Sequence, residues 1–274
     1  MIVIPMIPFF LGYLAWNTSS PTPSYIFHVR IETLLFGYSG TRNNGGNADL
    51  QFNLKCQPFM DQNLKCHIEK TTSYSPSTDP AHIIDKLSNI HCIMNFQPYG
   101  VSSYDVFPEN VENKETALEV FRFIGHQLSV GVDIKKYYGY EFSAIEDTVF
   151  GICATIYTIS RNKVSNYMLY SELVSLIAKE VYTIKKDESV NIKKIRLVES
   201  CKSRNAAIFG RILWPNLITS NIVAKLLSSE SQMTYTQHDF YTNTINEFNL
   251  YDEQDKIVGS IHETIYVKLV WIEN

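Results

Sequence analysis

Apolar and polar residues alternate along most of this chain, with the two-residue period of strands that bury one face. In YIFHVRIETLLFGY the alternation sets Tyr25, Phe27, Val29, Ile31 and Leu35 on one face; in SIHETIYVKLVW it does the same for Ile261, Ile265, Val267, Leu269 and Trp271. Both read as half-buried strands. LQFNLKC and NLKCHIEK flank the turn-rich QPFMDQ and predict a hairpin, and HCIMNFQPYGVSSYDVF predicts another that turns at Pro98 to Gly100. EDTVFGICATIYTIS, taken as one strand from Glu146 to Ser160, puts Val149, Gly151, Cys153, Thr155, Tyr157 and Ile159 on one face. Cys153 there fits a packed core thiol, half of a disulfide, a metal ligand or a nucleophile.

Two segments change period. NKETALEVFRFIGHQLSV repeats Ala117, Phe121, Ile124 and Leu128 at helical spacing, widened by Leu118 and Val120, with Asn113 placed as an N-cap. It predicts one buried amphipathic helix among strands. NYMLYSELVSLIAKE, with Leu169, Leu173, Leu176 and Ile177, predicts a second short helix. The expected fold is mainly β: a large antiparallel sheet, long enough to curl or close, with a helix packed on or inside it.

The chain opens on MIVIPMIPFFLGYLAW, residues 1–16, an uncharged apolar run too short to span a bilayer. It suits a secretory signal peptide, although two prolines interrupt it and the usual basic start is missing. Residues 17–23 then read as a linker, and 24–274 as one domain. Asn17 heads the single Asn-x-Ser/Thr sequon, a candidate glycosylation site. The formal net charge of −4 argues against a dedicated nucleic-acid binder.

Catalytic signatures are absent: no His-Glu-x-x-His, Gly-x-Ser-x-Gly, P-loop, Gly-x-Gly-x-x-Gly or Cys-x-x-Cys occurs. The seven histidines are scattered without metal-ligand spacing, so neither a metal, a cofactor nor an enzyme activity is expected. Cys56 and Cys66 lie on the two arms of the first hairpin, where a cross-strand bond needs only a local register match. Cys153 and Cys201 remain available to close a long loop. Cys92 shares a face with Ile90, Met94 and Phe96 and reads as a buried inert thiol.

Gly151-Ile152-Cys153-Ala154-Thr155-Ile156-Tyr157, preceded by Glu146, resembles the Glu...Gly-x-Cys-x-Thr-x-Tyr stretch in the amino-terminal domain of vitellogenins and other large lipid transfer proteins. KKIRLVESCKSR, Lys193 to Arg204, is similar to that family's second cysteine segment, in which basic residues precede the Cys and an Arg follows it three positions later. The resemblance covers roughly residues 24–274. It implies a strongly curved antiparallel β-barrel around a central amphipathic helix, with NKETALEVFRFIGHQLSV as that helix. It also implies that Cys153 pairs with Cys201, which closes a loop worth roughly 4 kcal/mol on the loop-entropy model.

The functional expectation is a secreted barrel that binds a partner in lipid or yolk transport, such as a receptor of the low-density-lipoprotein class. Lys193, Lys194, Arg196, Lys202 and Arg204 are the candidate contacts, acting through charge on an acidic receptor module. Alternation puts Lys194, Arg196, Lys202 and Arg204 on one face, with Lys193 opposite. An ordinary solvated strand pair is the competing reading. The family continues past this region into a helical horseshoe and two further sheets that enclose lipid, whereas this chain stops at Asn274, so the expected product lacks that cavity. The alternative is a small lipid carrier or one subunit of a larger lipoprotein assembly; an enzyme of unrecognised type ranks third.

Overall fold

A computed structural model describes residues 12–13, 24–37, 45–59, 63–75, 87–88, 90–97, 100–108, 114–132, 140–163, 173–174, 188–203, 209, 221–236 and 239–273. The described strands are β1 (Gly12–Tyr13), β2 (Ser24–Phe36), β3 (Gly45–Phe59), β4 (Asn63–Ser75), β5 (His91–Gln97), β6 (Gly100–Phe107), β7 (Glu141–Thr148), β8 (Gly151–Lys163), β9 (Leu173–Val174), β10 (Glu188–Ser203), β11 (Val223–Tyr235), β12 (Phe240–Tyr251) and β13 (Ile257–Glu273). One described helix, α1 (Lys114–Gln127), lies between β6 and β7.

Eleven strands form one antiparallel sheet in the order β6-β5-β4-β3-β2-β13-β12-β11-β10-β8-β7. Most neighbours are consecutive hairpins; β2 instead pairs with β13, which joins the two ends of the chain. The expected closed barrel is corrected: β6 and β7 are edge strands that do not pair with each other among the described residues. Closure into a barrel needs that last ladder.

The sheet nevertheless curls around α1. The helix packs against β5 and β6 near one edge and against β12 and β13 in the middle. The residues just after it bridge both halves: Ser129 Oγ accepts from the Val101 amide of β6 at 2.9 Å, and the Val130 carbonyl accepts from the Tyr157 hydroxyl of β8 at 3.2 Å. Ala117, Val120, Phe121, Phe123, Ile124 and Leu128 are buried against the sheet's inner face, so helix and strands share one core. Gly125 permits the closest approach, since a Cβ there would collide with the Tyr104 ring of β6.

Alternation predicted the inner face well. Tyr25, Phe27, Val29, Ile31 and Leu35 of β2 and Ile261, Ile265, Val267 and Leu269 of β13 are all buried. Trp271 is exposed instead, because an irregularity between Leu269 and Trp271 shifts the β2 register and turns it outward. The run from Glu146 to Ser160 is two strands, not one; Val149 and Phe150 form the β7–β8 turn, with Gly151 at φ 108° where other residues are strained.

The expected second helix lies mostly outside the described residues. Its two described positions, Leu173–Val174, form β9, which pairs with Gly12–Tyr13 from within the expected leader. Asn17, Asn113 and Arg204 also lie outside the described residues.

Candidate functional site

The inner face of β10 carries charge. Val190, Ile192, Lys194 and Arg196 follow each other at the strand period and all are buried. The first two fit an apolar core; the next two need a counter-charge, because an unpaired buried cation is strongly disfavoured. Glu146 of β7 supplies it: Lys194 Nζ donates to Glu146 Oε1 at 2.9 Å and Arg196 Nε to Glu146 Oε2 at 3.1 Å. The side chains of Glu146 and Lys194 are 0% and 2% exposed.

The polar groups that remain are tied into the sheet and helix. Lys194 Nζ also donates to the Ser129 and Val130 carbonyls, at 3.1 and 3.3 Å, holding the end of α1 to β10. Arg196 Nη1 donates to Ser229 Oγ and Ser231 Oγ on β11; Ser229 passes the chain to Asn246, and Asn246 Nδ2 donates to Glu263 Oε1 on β13. Glu263 Oε2 accepts from the Phe209 amide at 2.9 Å. Gln127 Oε1 of α1 accepts from Thr244 at 2.7 Å. Thr155 of β8 also donates to Glu146 Oε2, at 3.2 Å, so a buried polar network crosses six strands from β7 to β13.

Burial pushes the Glu146 carboxyl up, but the Arg196 and Lys194 charges overcome it and hold the group at about 2. The same burial lowers Lys194, with Glu146 partly restoring it. His126 retains some exposed surface, yet its enclosure pushes the imidazole down to about 3; the Glu146 charge opposes the fall, and Arg196 and Lys194 add to it. It is therefore neutral at neutral pH. A cavity of about 10 Å³ beside His126, Gln127, Arg196, Thr244 and Asn246 has room for about one water and nothing larger. Two fixed cations locked on one carboxylate tie β7, β10 and the end of α1 together.

This placement corrects the expected charged surface. Lys194 and Arg196 face the core and are unavailable to a partner. Lys193 lies on the outer face, as alternation requires, in an ion pair with Glu230 at 2.8 Å. Lys202 does not share the face of Lys194, because β10 runs irregularly between Leu197 and Lys202 and pairs Lys202 with outward-facing Ile152. Ser200 fills the irregularity by accepting from the Ala154 amide at 2.8 Å. The parity of Lys194 and Arg196 with Val190 and Ile192 was the sequence signal for burial.

Cys56 is bonded to Cys66 and Cys153 to Cys201; Cys92 is free, buried, and its thiol is pushed up to about 12 by desolvation.

The outer face carries two apolar features. An open groove of about 530 Å³ crosses β2, β13, β12 and β11, with walls from Leu34, Phe36 and Leu227 over a floor that includes Glu247, Asn249 and His262. Leu227 reaches it because a bulge between Leu226 and Ser228 leaves it unpaired with β12. Separately, Ile145, Ile152, Ile195 and Leu197 lie exposed on β7, β8 and β10; the pairings of Ala154 with Ile145 and Leu197 and of Ile156 with Ile195 make them one aliphatic patch.

No protein-family model and no curated protein matches the chain. A solved structure described as lipid–protein interactions in lipovitellin does, with a TM-score of 0.58 over 93% of this chain at 14% identity. The fold is lipovitellin-like. This chain corresponds to 26% of that lipovitellin chain. Among the described residues no helix is long and apolar enough to cross a membrane.

Proposed function

We propose that this chain is a secreted, non-catalytic module of lipid transport that works by binding a protein partner rather than by enclosing lipid. The supporting observation is a lipovitellin-like sheet whose inner face is occupied by α1 and the buried polar network, with about 10 Å³ left beside His126. An acyl chain does not fit in such a space. The two disulfides suit an oxidising compartment. The partner surface is the exposed aliphatic patch of Ile145, Ile152, Ile195 and Leu197, bordered by Lys193 and Lys202; contiguous apolar surface of this kind marks interaction sites. A receptor of the low-density-lipoprotein class remains the proposed partner, with those two lysines as the outward cations toward its acidic modules.

The outer groove favours a second reading, in which a single lipid tail lies against Leu34, Phe36 and Leu227 and the chain is a small carrier or a subunit of a lipoprotein assembly. Mass spectrometry of lipid that co-purifies with the secreted protein separates the two. Absence of stoichiometric lipid supports the binding module. Lipid near one per chain, lost on Leu227→Glu, replaces it with the carrier.

A further inference from the structure

Three of the five cysteines stand in one row across the sheet. Cys56 on β3 is opposite Cys66 on β4, and Cys66 is in turn opposite Cys92 on β5. All three are fully buried in the core that the inner face encloses. Cys56 and Cys66 share a disulfide, while Cys92 is a free thiol. A thiol beside a disulfide differs chemically from a thiol in an apolar core, because its thiolate can displace one sulfur of the bond. Cys153 and Cys201 pair between β8 and β10, in the other half of the sheet.

We propose that Cys56, Cys66 and Cys92 form an internal thiol–disulfide exchange site, in which Cys56 and Cys92 compete for Cys66. The Cys92 thiolate attacks Cys66 Sγ; the Cys66–Cys92 bond forms and the Cys56–Cys66 bond breaks. Cys56 leaves as the thiolate and takes up the proton that Cys92 gave up. One disulfide and one thiol are present before and after, so no oxidant or reductant is consumed. The row supplies the geometry. Displacement at sulfur needs the nucleophile and the leaving group on opposite sides of the attacked atom, and Cys92 and Cys56 flank Cys66 from strands on opposite sides of β4. Facing residues on neighbouring antiparallel strands have Cα atoms about 4.5 or about 5.5 Å apart, and a disulfide bridges either spacing. The new bond therefore needs rotation of side chains and no change of register.

The exchange changes which elements are fastened. Cys56–Cys66 closes only the β3–β4 hairpin, across a sequence separation of 10. Cys66–Cys92 ties β4 to β5 instead, and through β5 it tethers the edge hairpin β5–β6 on which α1 packs. Burial sets the rate. Desolvation pushes the Cys92 thiol up to about 12, and Asp105 of β6 adds to the rise. Tyr104 of β6, which also feels Cys92, is itself kept neutral by burial, with Arg122 of α1 working against that. Attack is consequently slow at neutral pH and speeds up about tenfold per pH unit as the thiolate forms.

Disulfide mapping of the native full chain, quenched in acid, alkylated and digested without reduction, tests the assignment. After equilibration at pH 9 the Cys66–Cys92 bond is expected in at least about a tenth of the chains, reached about tenfold more slowly at pH 8. Cys56–Cys66 as the sole bond among these three cysteines at every time overturns the proposal. So do bonds from Cys92 to Cys153 or Cys201 as abundant as Cys66–Cys92, since they mark scrambling through the unfolded chain. In Cys56→Ser, oxidised glutathione should close Cys66–Cys92 directly, and in Cys92→Ser the Cys56–Cys66 bond should be unchanged at pH 9. A Cys56→Ser chain that keeps its cooperative unfolding transition yet leaves Cys66 and Cys92 as thiols also overturns it.

Discussion

Lys193 and Lys194 are neighbours on one strand with the same charge, and they have opposite fates. Lys193 points outward and meets Glu230, both side chains about half exposed at 44% and 50%. Lys194 points inward at 2% exposure and meets Glu146 together with two backbone carbonyls at the end of α1. In water the first pair gains little, because solvent screens the attraction and holding two long side chains costs entropy. The second pair has lost its hydration, so neither partner can be removed without stranding the other. The same residue type is thus a near-neutral surface feature on one face and an essential clamp on the other.

Removing the clamp should have the largest effect. Lys194→Ala leaves Glu146 and the Ser129 and Val130 carbonyls short of a donor, and the expected loss is roughly 3 to 5 kcal/mol in denaturant unfolding. A loss under about 1 kcal/mol would make β10 symmetric in its two faces and erase the contrast.

Phe121→Ala tests whether apolar filling around α1 matters as much as the charge cluster beside it. Phe121 is fully buried, and its truncation should cost about 3 to 5 kcal/mol, measured in the same way. Gly131→Ala sharpens the picture at the junction of helix tail and clamp. Gly131 has φ 91°, and a Cβ there would lie 2.5 Å from Glu146 Oε1. A loss of about 1 to 3 kcal/mol is expected from backbone strain.

Acid should weaken the inner face through two groups. The His126 folded value of about 3 lies below its unfolded value, so the unfolded state takes the proton first and stability declines as pH falls from about 6.5 toward 3. Glu146, held at about 2 against an ordinary 4.5, contributes stability that is full above about 4.5 and is lost as pH falls toward 2. Thermal unfolding followed against pH should show both limbs, and His126→Gln should remove its share of the upper one. The smallest effect belongs to the outer pair: Lys193→Ala should change stability by no more than about 0.5 kcal/mol, with the change fading in salt.

Much of the architecture was legible in the alternation. The inner faces of β2 and β13, the hairpin carrying Cys56 and Cys66, and the amphipathic helix of Phe121 and Ile124 follow from period and turn chemistry, which are local properties. The split of Glu146 to Ser160 into two strands was missed, since Val149 and Phe150 continue the β-rich run and only Gly151 marks the turn. The buried clamp was misread because basic residues were assigned to solvent by type, although their parity with Val190 and Ile192 placed them inside.

The sequence by itself determined which residues share a strand face, where the helix falls and that the chain is mainly β, because each depends on spacing along the backbone. Tertiary structure alone decided that Lys194 and Arg196 find Glu146, that Lys202 turns outward past an irregular strand, and that β6 and β7 stay apart. Those outcomes depend on groups brought together from distant positions and on the loss of water around them, and neither is encoded in local pattern.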